Sequence, residues 1–296
     1  MTERTVIKLT KNSFHSSKNL SINYLWNMET FLKILKYALI FYVLLVTLAT
    51  IFQEKILFRN TKIAVNYRYQ FKGNFEEMWF YPEAHVNLNA LYFKTDSTKR
   101  KGLVIYFHGN ADDLRRWGKY AEDFTKNGYD ILMIDYRQFG KSTGELSEKA
   151  LHTDARYVYE WAKKRFPENE IIIYGRSLGT GIATRLASET HPKMLLLETP
   201  YYSLIDVGMS YLPIIPFDFL LRYKMRTDLC IKQVRCPIHL FHGTKDEIVP
   251  YKSSLKLATL LNKKPSEILT TIPNGKHKNL GEFREYHLAL ERLLRN

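Results

Sequence analysis

Residues 170–183 read EIIIYGRSLGTGIA, and the fold prediction rests on this stretch. The β-branched run from Ile171 to Ile173 is typical of a strand that is buried on both faces. After it, the G-x-S-x-G at residues 175–179 leads into a helical pattern. Between a strand and a helix, this motif forms a sharp turn that strains the serine backbone and holds the hydroxyl of Ser177 clear of the chain. An ordinary glycine-rich loop is the alternative, and the flanking elements favour the sharp turn.

The two glycines of this motif have a predicted steric role. Gly175 and Gly179 carry no side chain where the strand and the helix would nearly touch. The helix that follows would direct its first N–H groups, and the positive end of its dipole, toward the place where an oxyanion forms. The stretch therefore predicts a nucleophilic serine beside an anion-binding helix end.

Composition and charge narrow the class of protein. The chain has 296 residues, which suits one large α/β domain with an appendage, and its net charge of +14 comes from 44 Lys and Arg against 30 Asp and Glu. This charge favours anionic surfaces. The basic residues are scattered and match no nucleic-acid-binding motif, so we expect no nucleic acid partner and favour a membrane surface or plain solubility. Cys230 and Cys236 are too few for a disulfide scaffold or a zinc site, and would pair only in an oxidising compartment.

The N-terminal part of the chain predicts a membrane anchor. Residues 1–30 are polar and irregular, so we expect a disordered tail. Residues 31–52 read FLKILKYALIFYVLLVTLATIF, and as a helix they would reach about 33 Å, enough to cross a bilayer core. A cleaved signal peptide that begins at Met28 and a buried or interfacial helix are the alternatives. Lys and Arg flank both ends, so the sequence predicts a single-pass anchor without predicting its side of the membrane.

From about Arg59 to residue 296, short apolar runs alternate with helical patterns. Such alternation with short loops predicts a doubly wound, mostly parallel sheet. The first two strands, joined at Pro82, are expected to be antiparallel. Besides the strand before Ser177, strands are predicted at residues 75–81, 85–93, 102–107, 130–135, 193–198, 237–242 and 267–273. A helix capped by Asp112 or Asp113 is predicted to run to about Lys126.

Residues 200–235 interrupt this alternation. They contain Pro213 and Pro216 and are rich in aromatic, leucine and basic residues. We interpret the segment as a small helical cap over the site, and one irregular crossover helix is the alternative.

Four predicted strands end at residues suited to acyl transfer. In open α/β sheets, ligands bind outside the carboxyl ends of the strands. A serine hydroxyl needs a base within hydrogen-bond reach, and the base needs an acid that fixes its tautomer. The chain order Ser177, Asp246, His277 is the order found in α/β hydrolases, and Glu198 is the competing acid. The loop His108-Gly109-Asn110 lies at the end of the third predicted strand, 102–107.

Several motifs resemble the membrane-anchored α/β-hydrolase-domain serine hydrolases over roughly residues 59–296. They are FHGNA at 107–111, DYR-x-x-GKS-x-G at 135–144, GRSLG at 175–179, FHGTKDEIVP at 241–250 and GKHKNL at 275–280. Relatives in that group act as lipases on monoacylglycerols or lysophospholipids, or as acyl-protein thioesterases, and neighbouring sequences are labelled serine aminopeptidases. The resemblance implies the α/β-hydrolase fold. It also implies these site residues: Ser177 as nucleophile, His277 as base, Asp246 as acid, and an oxyanion hole from the backbone N–H groups of Leu178 and of Asn110 or Ala111.

The resulting functional prediction is a serine hydrolase that cleaves carboxylic esters of lipid-like acyl substrates. A serine peptidase or an acyl-protein thioesterase on the same triad is the alternative, and a non-catalytic membrane scaffold is an alternative of another class. We expect no cofactor and no metal, since His239 and His242 lie in or at the end of a strand without a third ligand. The oligomeric state is not predicted.

Three positions outside the triad have structural expectations. His108 is expected to bond loop backbone, and Asp135 with Arg137 to form a loop-stabilising pair. Gln138 departs from the resembled group, which usually has Gly there, and is expected to tighten a turn without affecting the triad.

Overall fold

A computed structural model describes residues 3–295 of the chain, with side chains described from residue 27 onward. The chain divides into two compact units, Met1–Gln53 and Glu54–Asn296.

The first unit is one long helix, α1, from Glu3 to Ile51. The sequence predicts a disordered tail at residues 1–30, and the structure has helix there from Glu3 onward. The reason is that this segment contains no Pro or Gly, and extending an existing helix avoids the unfavourable nucleation step. Within α1, Asn27–Ile51 is long and apolar enough to cross a membrane, beginning four residues before the predicted span.

The second unit is built on one eight-stranded sheet. The strands of the unit are β1 Arg59–Asn60, β2 Asn74–Phe80, β3 Leu88–Lys94, β4 Gly102–Phe107, β5 Ala111–Asp112, β6 Tyr129–Ile134, β7 Ile171–Arg176, β8 Met194–Glu198, β9 Ile238–Gly243 and β10 Leu269–Ile272. The order in the eight-stranded sheet is β10-β9-β8-β7-β4-β6-β3-β2, with every pair parallel except β2 with β3 and β3 with β6. The mostly parallel sheet with an antiparallel opening is therefore confirmed.

Helices cover both faces of this sheet, and the apolar core lies between the layers. Ile105 and Ile173 pack on one face, whereas Val104 and Ile172 pack on the other, so the central strands have no polar face. The helices after α1 are α2 Gln53–Leu57, α3 Leu114–Trp117, α4 Glu122–Thr125, α5 Glu148–Lys163, α6 Leu178–Ser188, α7 Leu204–Tyr211, α8 Phe217–Leu220, α9 Thr227–Cys230, α10 Lys252–Leu260, α11 Pro265–Ile268 and α12 Arg284–Arg295.

One predicted helix is broken in the structure. The sequence favours a continuous helix from Asp112 or Asp113 to about residue 126, and Asp113 does cap α3 by accepting from the N–H of Arg115. The helix then gives way to a 3-10 turn that begins at Gly118, before α4. A Cβ on Gly118 would lie 2.4 Å from the ring of Phe71, so the glycine is required for packing although it weakens the helix.

The segment 200–235, called the cap segment below, is not one crossover helix. It contains α7, α8, α9 and a 3-10 turn, with Pro213 and Pro216 between the first two helices. Proline cannot continue a helix from the preceding turn, so the chain reverses between α7 and α8. The observed short helices agree with the interpretation as a helical cap.

The order of the strands places the site. β4 has β6 on one side and β7 on the other, although β6 and β7 follow it in the chain. The chain thus goes from β4 to its neighbour β6 and then crosses to β7 on the other side of β4. At such a change of direction in the strand order, a crevice opens at the carboxyl ends of the strands. Ser177 follows β7 in this crevice.

Candidate active site

Ser177 occupies a strained turn between β7 and α6. Its φ is 51° and its ψ is −116°, a conformation that non-glycine residues rarely adopt. A Cβ on Gly175 would come within 2.5 Å of the carbonyl oxygen of Gly179, and a Cβ on Gly179 within 2.0 Å of that of Phe107. The predicted sharp turn and the predicted steric role of both glycines are confirmed.

The three predicted triad residues form a hydrogen-bonded series with His277 in the middle. The Oγ of Ser177 is 2.8 Å from Nε2 of His277, and Nδ1 of His277 is 2.8 Å from Oδ2 and 3.1 Å from Oδ1 of Asp246. Because a carboxylate only accepts, Nδ1–H donates to Asp246 and leaves Nε2 to accept from the serine hydroxyl. This is the arrangement that a serine nucleophile, a base and an orienting acid require.

The carboxylate of Asp246 is fully buried and accepts several hydrogen bonds. Its Oδ1 accepts from the backbone N–H groups of Ile248 at 2.9 Å and Val249 at 2.8 Å. Burial by itself raises the pKa of this carboxyl, but hydrogen bonds from His242 and His277 outweigh burial and hold the pKa well below its ordinary value. Asp246 therefore stays ionised beside His277.

His242 is a second histidine that contacts the carboxylate of Asp246. Its Nε2 lies 3.0 Å from the carbonyl oxygen of Val249 and 3.2 Å from Oδ2 of Asp246, and its Nδ1 lies 2.7 Å from Oγ of Ser254. A carbonyl only accepts, so Nε2 carries the proton and Nδ1 accepts from the serine. The sequence excluded His242 as a metal ligand but gave no sign of this contact.

Glu198, the competing acid, is held elsewhere. Its Oε1 lies 3.2 Å from Nε of Arg176, and its Oε2 accepts from the hydroxyl of Tyr174 at 2.6 Å. The same guanidinium donates to the carbonyl oxygen of Lys278 at 3.1 Å. Arg176 thus connects the end of β7 to the loop that carries His277, and Glu198 neutralises it in the interior.

The predicted oxyanion-hole residues surround Ser177. Leu178 is the first residue of α6, and Asn110 and Ala111 line a small cavity of about 20 Å³ together with Ser177. A Cβ on Gly109 would lie 3.7 Å from that of Ser177, so the loop after β4 passes beside the serine. The role of these N–H groups remains a prediction.

The loop after β4 is fixed by local hydrogen bonds. The carbonyl oxygen of Asn110 accepts from the N–H of Arg59, and the Asn110 amide donates to the carbonyl oxygen of Leu57, both at 2.8 Å. Here β1 pairs in parallel with β5. These contacts hold the backbone beside Ser177 in one conformation before any substrate arrives.

The cavity at Ser177 has a cationic lining. Four basic residues line it, and within residues 3–295 its lining includes no carboxylate. Arg116 is paired with Asp112 and Arg176 with Glu198, but the lining still carries basic groups and no acidic one, which disfavours a free ammonium group. The basic residues are Arg59, Arg116, Arg176 and Lys278.

The structural expectations outside the triad have mixed outcomes. His108 is fully buried and its Nδ1–H donates to the carbonyl oxygen of Gly109 at 2.7 Å, as expected. The expected pair of Asp135 with Arg137 is wrong. Asp135 faces His108 with Oδ1 at 3.3 Å from Nε2, whereas Arg137 binds Asp154 at 2.7 and 2.8 Å. Two residues apart in a turn, these side chains point toward different elements.

Gln138 does tighten a turn, and at a conformational cost. Its φ is 68°, in the left-handed region, and its carbonyl oxygen accepts from the Asn60 amide at 2.6 Å. Glycine adopts this φ readily, which explains why glycine is usual here in the resembled group.

Neither cysteines nor metal ligands add to the site. Cys230 and Cys236 are free thiols, and burial raises the pKa of Cys236 to about 11. Among the described residues, no group of three or more His, Cys, Asp or Glu side chains is arranged to hold a metal ion.

The fold is that of an α/β hydrolase. The esterase Pf2001 of Pyrococcus furiosus has the same fold, with a TM-score of 0.62 at 19% identity, over 81% of this chain and 97% of that one. A family model described as serine aminopeptidase, S33, matches residues 98–211.

The sequence relatives confirm the resemblance to the α/β-hydrolase-domain serine hydrolases. Lysophosphatidylserine lipase ABHD12 of Macaca fascicularis is 30% identical over 198 residues, which cover 58% of this chain and 48% of the relative. The uncharacterized protein R595 of Acanthamoeba polyphaga mimivirus is 28% identical over 69% of this chain and 80% of its own length. The chain thus spans about half the length of the ABHD12 lipases that it matches.

Proposed function

We propose that this chain is a serine hydrolase that cleaves carboxylic ester bonds of lipid-like acyl substrates. The observation that supports it most directly is the continuous hydrogen-bonded series from Ser177 through His277 to Asp246. A serine on a strained turn, at the carboxyl end of a parallel strand and in contact with a paired histidine, is equipped for nucleophilic attack on a carbonyl carbon.

The proposed reaction has two acyl-transfer steps. The Oγ of Ser177 attacks the carbonyl carbon while Nε2 of His277 takes its proton, and Asp246 stabilises the imidazolium that forms. The N–H groups of Leu178 and of Asn110 or Ala111 hold the oxyanion, a contribution of about 3 kcal/mol per donor. His277 then protonates the leaving alcohol. It next activates a water that releases the acid and regenerates Ser177.

The cationic cavity favours an acyl ester over a peptide with a free amino terminus. An aminopeptidase must bind an ammonium group, which requires carboxylates near the scissile bond. The basic residues that line the cavity are instead Arg59, Arg116, Arg176 and Lys278. Two of them are paired with carboxylates outside the lining, Arg116 with Asp112 and Arg176 with Glu198. The relatives include lysophosphatidylserine lipases, whose name also indicates a lipid substrate. The same triad could cleave a thioester, which a substrate panel distinguishes.

We further propose that Asn27–Ile51 is a single-pass membrane anchor. Its side chains from Phe31 to Phe41 are exposed around the whole helix, as expected for a segment that contacts lipid. An anchored hydrolase would meet membrane lipids at high local concentration.

The first test is labelling of the full chain with a fluorophosphonate probe, which reacts with activated serines. We expect wild type to be labelled, and Ser177→Ala and His277→Ala to lose labelling. Ser188→Ala, which removes a hydroxyl at the far end of α6, is the matched control and should label like wild type. A folded wild type that does not label would overturn the hydrolase proposal and favour the non-catalytic scaffold.

A further inference from the structure

The cap segment exposes an unusual amount of apolar surface. Among residues 54–295, five of the twelve exposed large apolar side chains fall within 209–219. Phe219 is 88% exposed and Leu212 is 55% exposed. Single exposed apolar side chains are ordinary, but a cluster of them marks an interaction surface. We call residues 209–220 the cap tip; its exposed apolar residues are Met209, Tyr211, Leu212, Ile214 and Phe219.

The cap tip is an ordered helical hairpin. The N–H of Leu212 donates to the carbonyl oxygen of Gly208 at 2.9 Å, and that of Leu221 to the carbonyl oxygen of Phe217 at 2.9 Å. Phe217 packs against Gly208, where a Cβ would lie 2.9 Å from its ring. The exposed side chains are therefore presented by a fixed backbone.

One hydrogen-bonded contact connects the cap tip to the site. The hydroxyl of Tyr211 donates to the carbonyl oxygens of Glu247 at 2.8 Å and Ile248 at 3.1 Å. Ile248 lines the cavity at Ser177, and its N–H binds Asp246. The apolar surface thus lies next to the loop that holds the catalytic acid.

A basic groove follows the cap tip along the chain. It has a volume of about 670 Å³, and its lining has six Lys or Arg residues against two Glu. Arg222, Lys224 and Arg226 supply three of the cations from the segment directly after α8. They form surface ion pairs with Glu54, Asp218 and Asp228, respectively. Apolar side chains beside a cationic flank match the two layers of a membrane surface, acyl chains and anionic headgroups.

We propose that the cap tip inserts into the surface of an anionic lipid bilayer, so that an acyl substrate enters the site directly from the membrane. This inference rests on the proposed function for the reaction itself. The anchor Asn27–Ile51 keeps the domain at a membrane, and the cap tip brings the mouth of the site onto that membrane.

The direct test measures lipid contact at single positions. The full chain, with Cys230 and Cys236 replaced by Ser, receives one new cysteine labelled with the fluorophore NBD, and is placed in phosphatidylcholine–phosphatidylserine nanodiscs. We expect NBD at Phe219→Cys to shift to the blue and to be quenched by spin-labelled lipid. Leu288→Cys, which replaces an exposed apolar residue of α12, is the matched control and should show neither change. Equal, unquenched signals at both positions would overturn the proposal, as would a shielded but unquenched label at 219, which would indicate a protein partner.

The second test separates entry from chemistry. The double variant Leu212→Ser/Phe219→Ser should hydrolyse a long-chain ester in vesicles at least about tenfold more slowly than wild type, because two large apolar groups no longer insert. Its rate on a soluble short-chain ester should stay unchanged, as should both rates of Leu288→Ser. Equal losses on both substrates would overturn the insertion proposal. A wild type that hydrolyses neither ester would instead count against the proposed function.

Discussion

Ser177 and His277 lie 2.8 Å apart, yet the two sides of that hydrogen bond are held by different forces. On the serine side, backbone sterics dominate: a strained φ and two glycines without room for a side chain fix the turn. On the histidine side, buried charges and hydrogen bonds from several elements hold the base. Asp246 and Arg176 contact the loop that carries His277 from two directions.

The two sides differ in how many parts of the sequence determine their geometry. The serine side is encoded in five consecutive residues, so a mutation there acts through sterics. The histidine side is held by residues from β7, β8 and β9. A mutation there acts by removing a charge or by leaving a buried polar group without a hydrogen-bond partner. The predictions below test this division, from the largest effect to the smallest.

Asp246→Asn should lower kcat on an ester substrate about 10⁴-fold, because an amide no longer fixes the productive tautomer of His277. The Asn oxygen can still accept from the N–H groups of Ile248 and Val249, but the Asn NH2 then faces the Nε2–H of His242, so the melting temperature should also fall. Asp218→Asn, an exposed acid of α8, is the control and should retain full activity. Asp246→Asn with near-normal kcat would show that Asp246 does not act on the base.

Arg176→Met should destabilise the domain by about 3–5 kcal/mol, because it leaves the buried carboxylate of Glu198 without its cation. The double variant Arg176→Met/Glu198→Gln should recover much of that loss. Chemical denaturation of the detergent-solubilised chain measures both. If the double variant is no more stable than the single one, the loss comes from the contact to Lys278 and not from the unpaired charge.

The free energy of unfolding should decrease as the pH is lowered from 6.5 to 4, because of His239. Burial, and next the charge of Arg292, lowers the pKa of His239 to about 4. The unfolded chain then binds a proton below pH 6.5 that the folded chain refuses until about pH 4, so folding weakens by up to about 3 kcal/mol across this range. His239→Gln, which keeps a polar partner for Thr270, should flatten the slope of unfolding free energy against pH. An unchanged slope would assign the acid sensitivity to other groups.

Gly179→Ala should destabilise by about 1–3 kcal/mol and reduce fluorophosphonate labelling, because its Cβ would overlap the carbonyl oxygen of Phe107. Ala183→Gly in the same helix is a control that lowers helix propensity without a clash. Retained labelling and stability in Gly179→Ala would contradict the steric account of the serine side.

Gln138→Gly should stabilise the domain by up to about 1 kcal/mol, because glycine adopts the left-handed conformation without strain. The greater conformational freedom of glycine in the unfolded chain offsets part of this gain. Thermal unfolding measures the gain, and kcat should not change. A loss of stability would mean that the Gln138 side chain contributes more than its backbone strain costs.

The sequence predicts the local features of the molecule well. The strand at Ile171–Arg176, the sharp turn at Ser177 and the chain order of the triad all follow from short patterns with a direct physical meaning. Asp246 and His277 are predictable because each follows a strand end, where an open parallel sheet gathers its loops.

The features that the sequence does not predict depend on distant contacts. His242 meets Asp246 only because β9 and its following loop fold back, and Arg176 meets Lys278 across more than one hundred residues. The break at Gly118 depends on the ring of Phe71, which lies outside any local window. The N-terminal helix exceeds its predicted bounds because polar composition suggests disorder, whereas helix extension depends on the neighbouring apolar segment.

The left-handed turn at residue 177 also limits which nucleophiles can evolve there. Cysteine has an unbranched Cβ like serine and can take the same backbone conformation. Threonine, with a branched Cβ, is a pronounced outlier at φ 51°. Mutational drift at this position can therefore pass to thiol chemistry but not to a threonine nucleophile, unless the whole strand–helix junction is rebuilt.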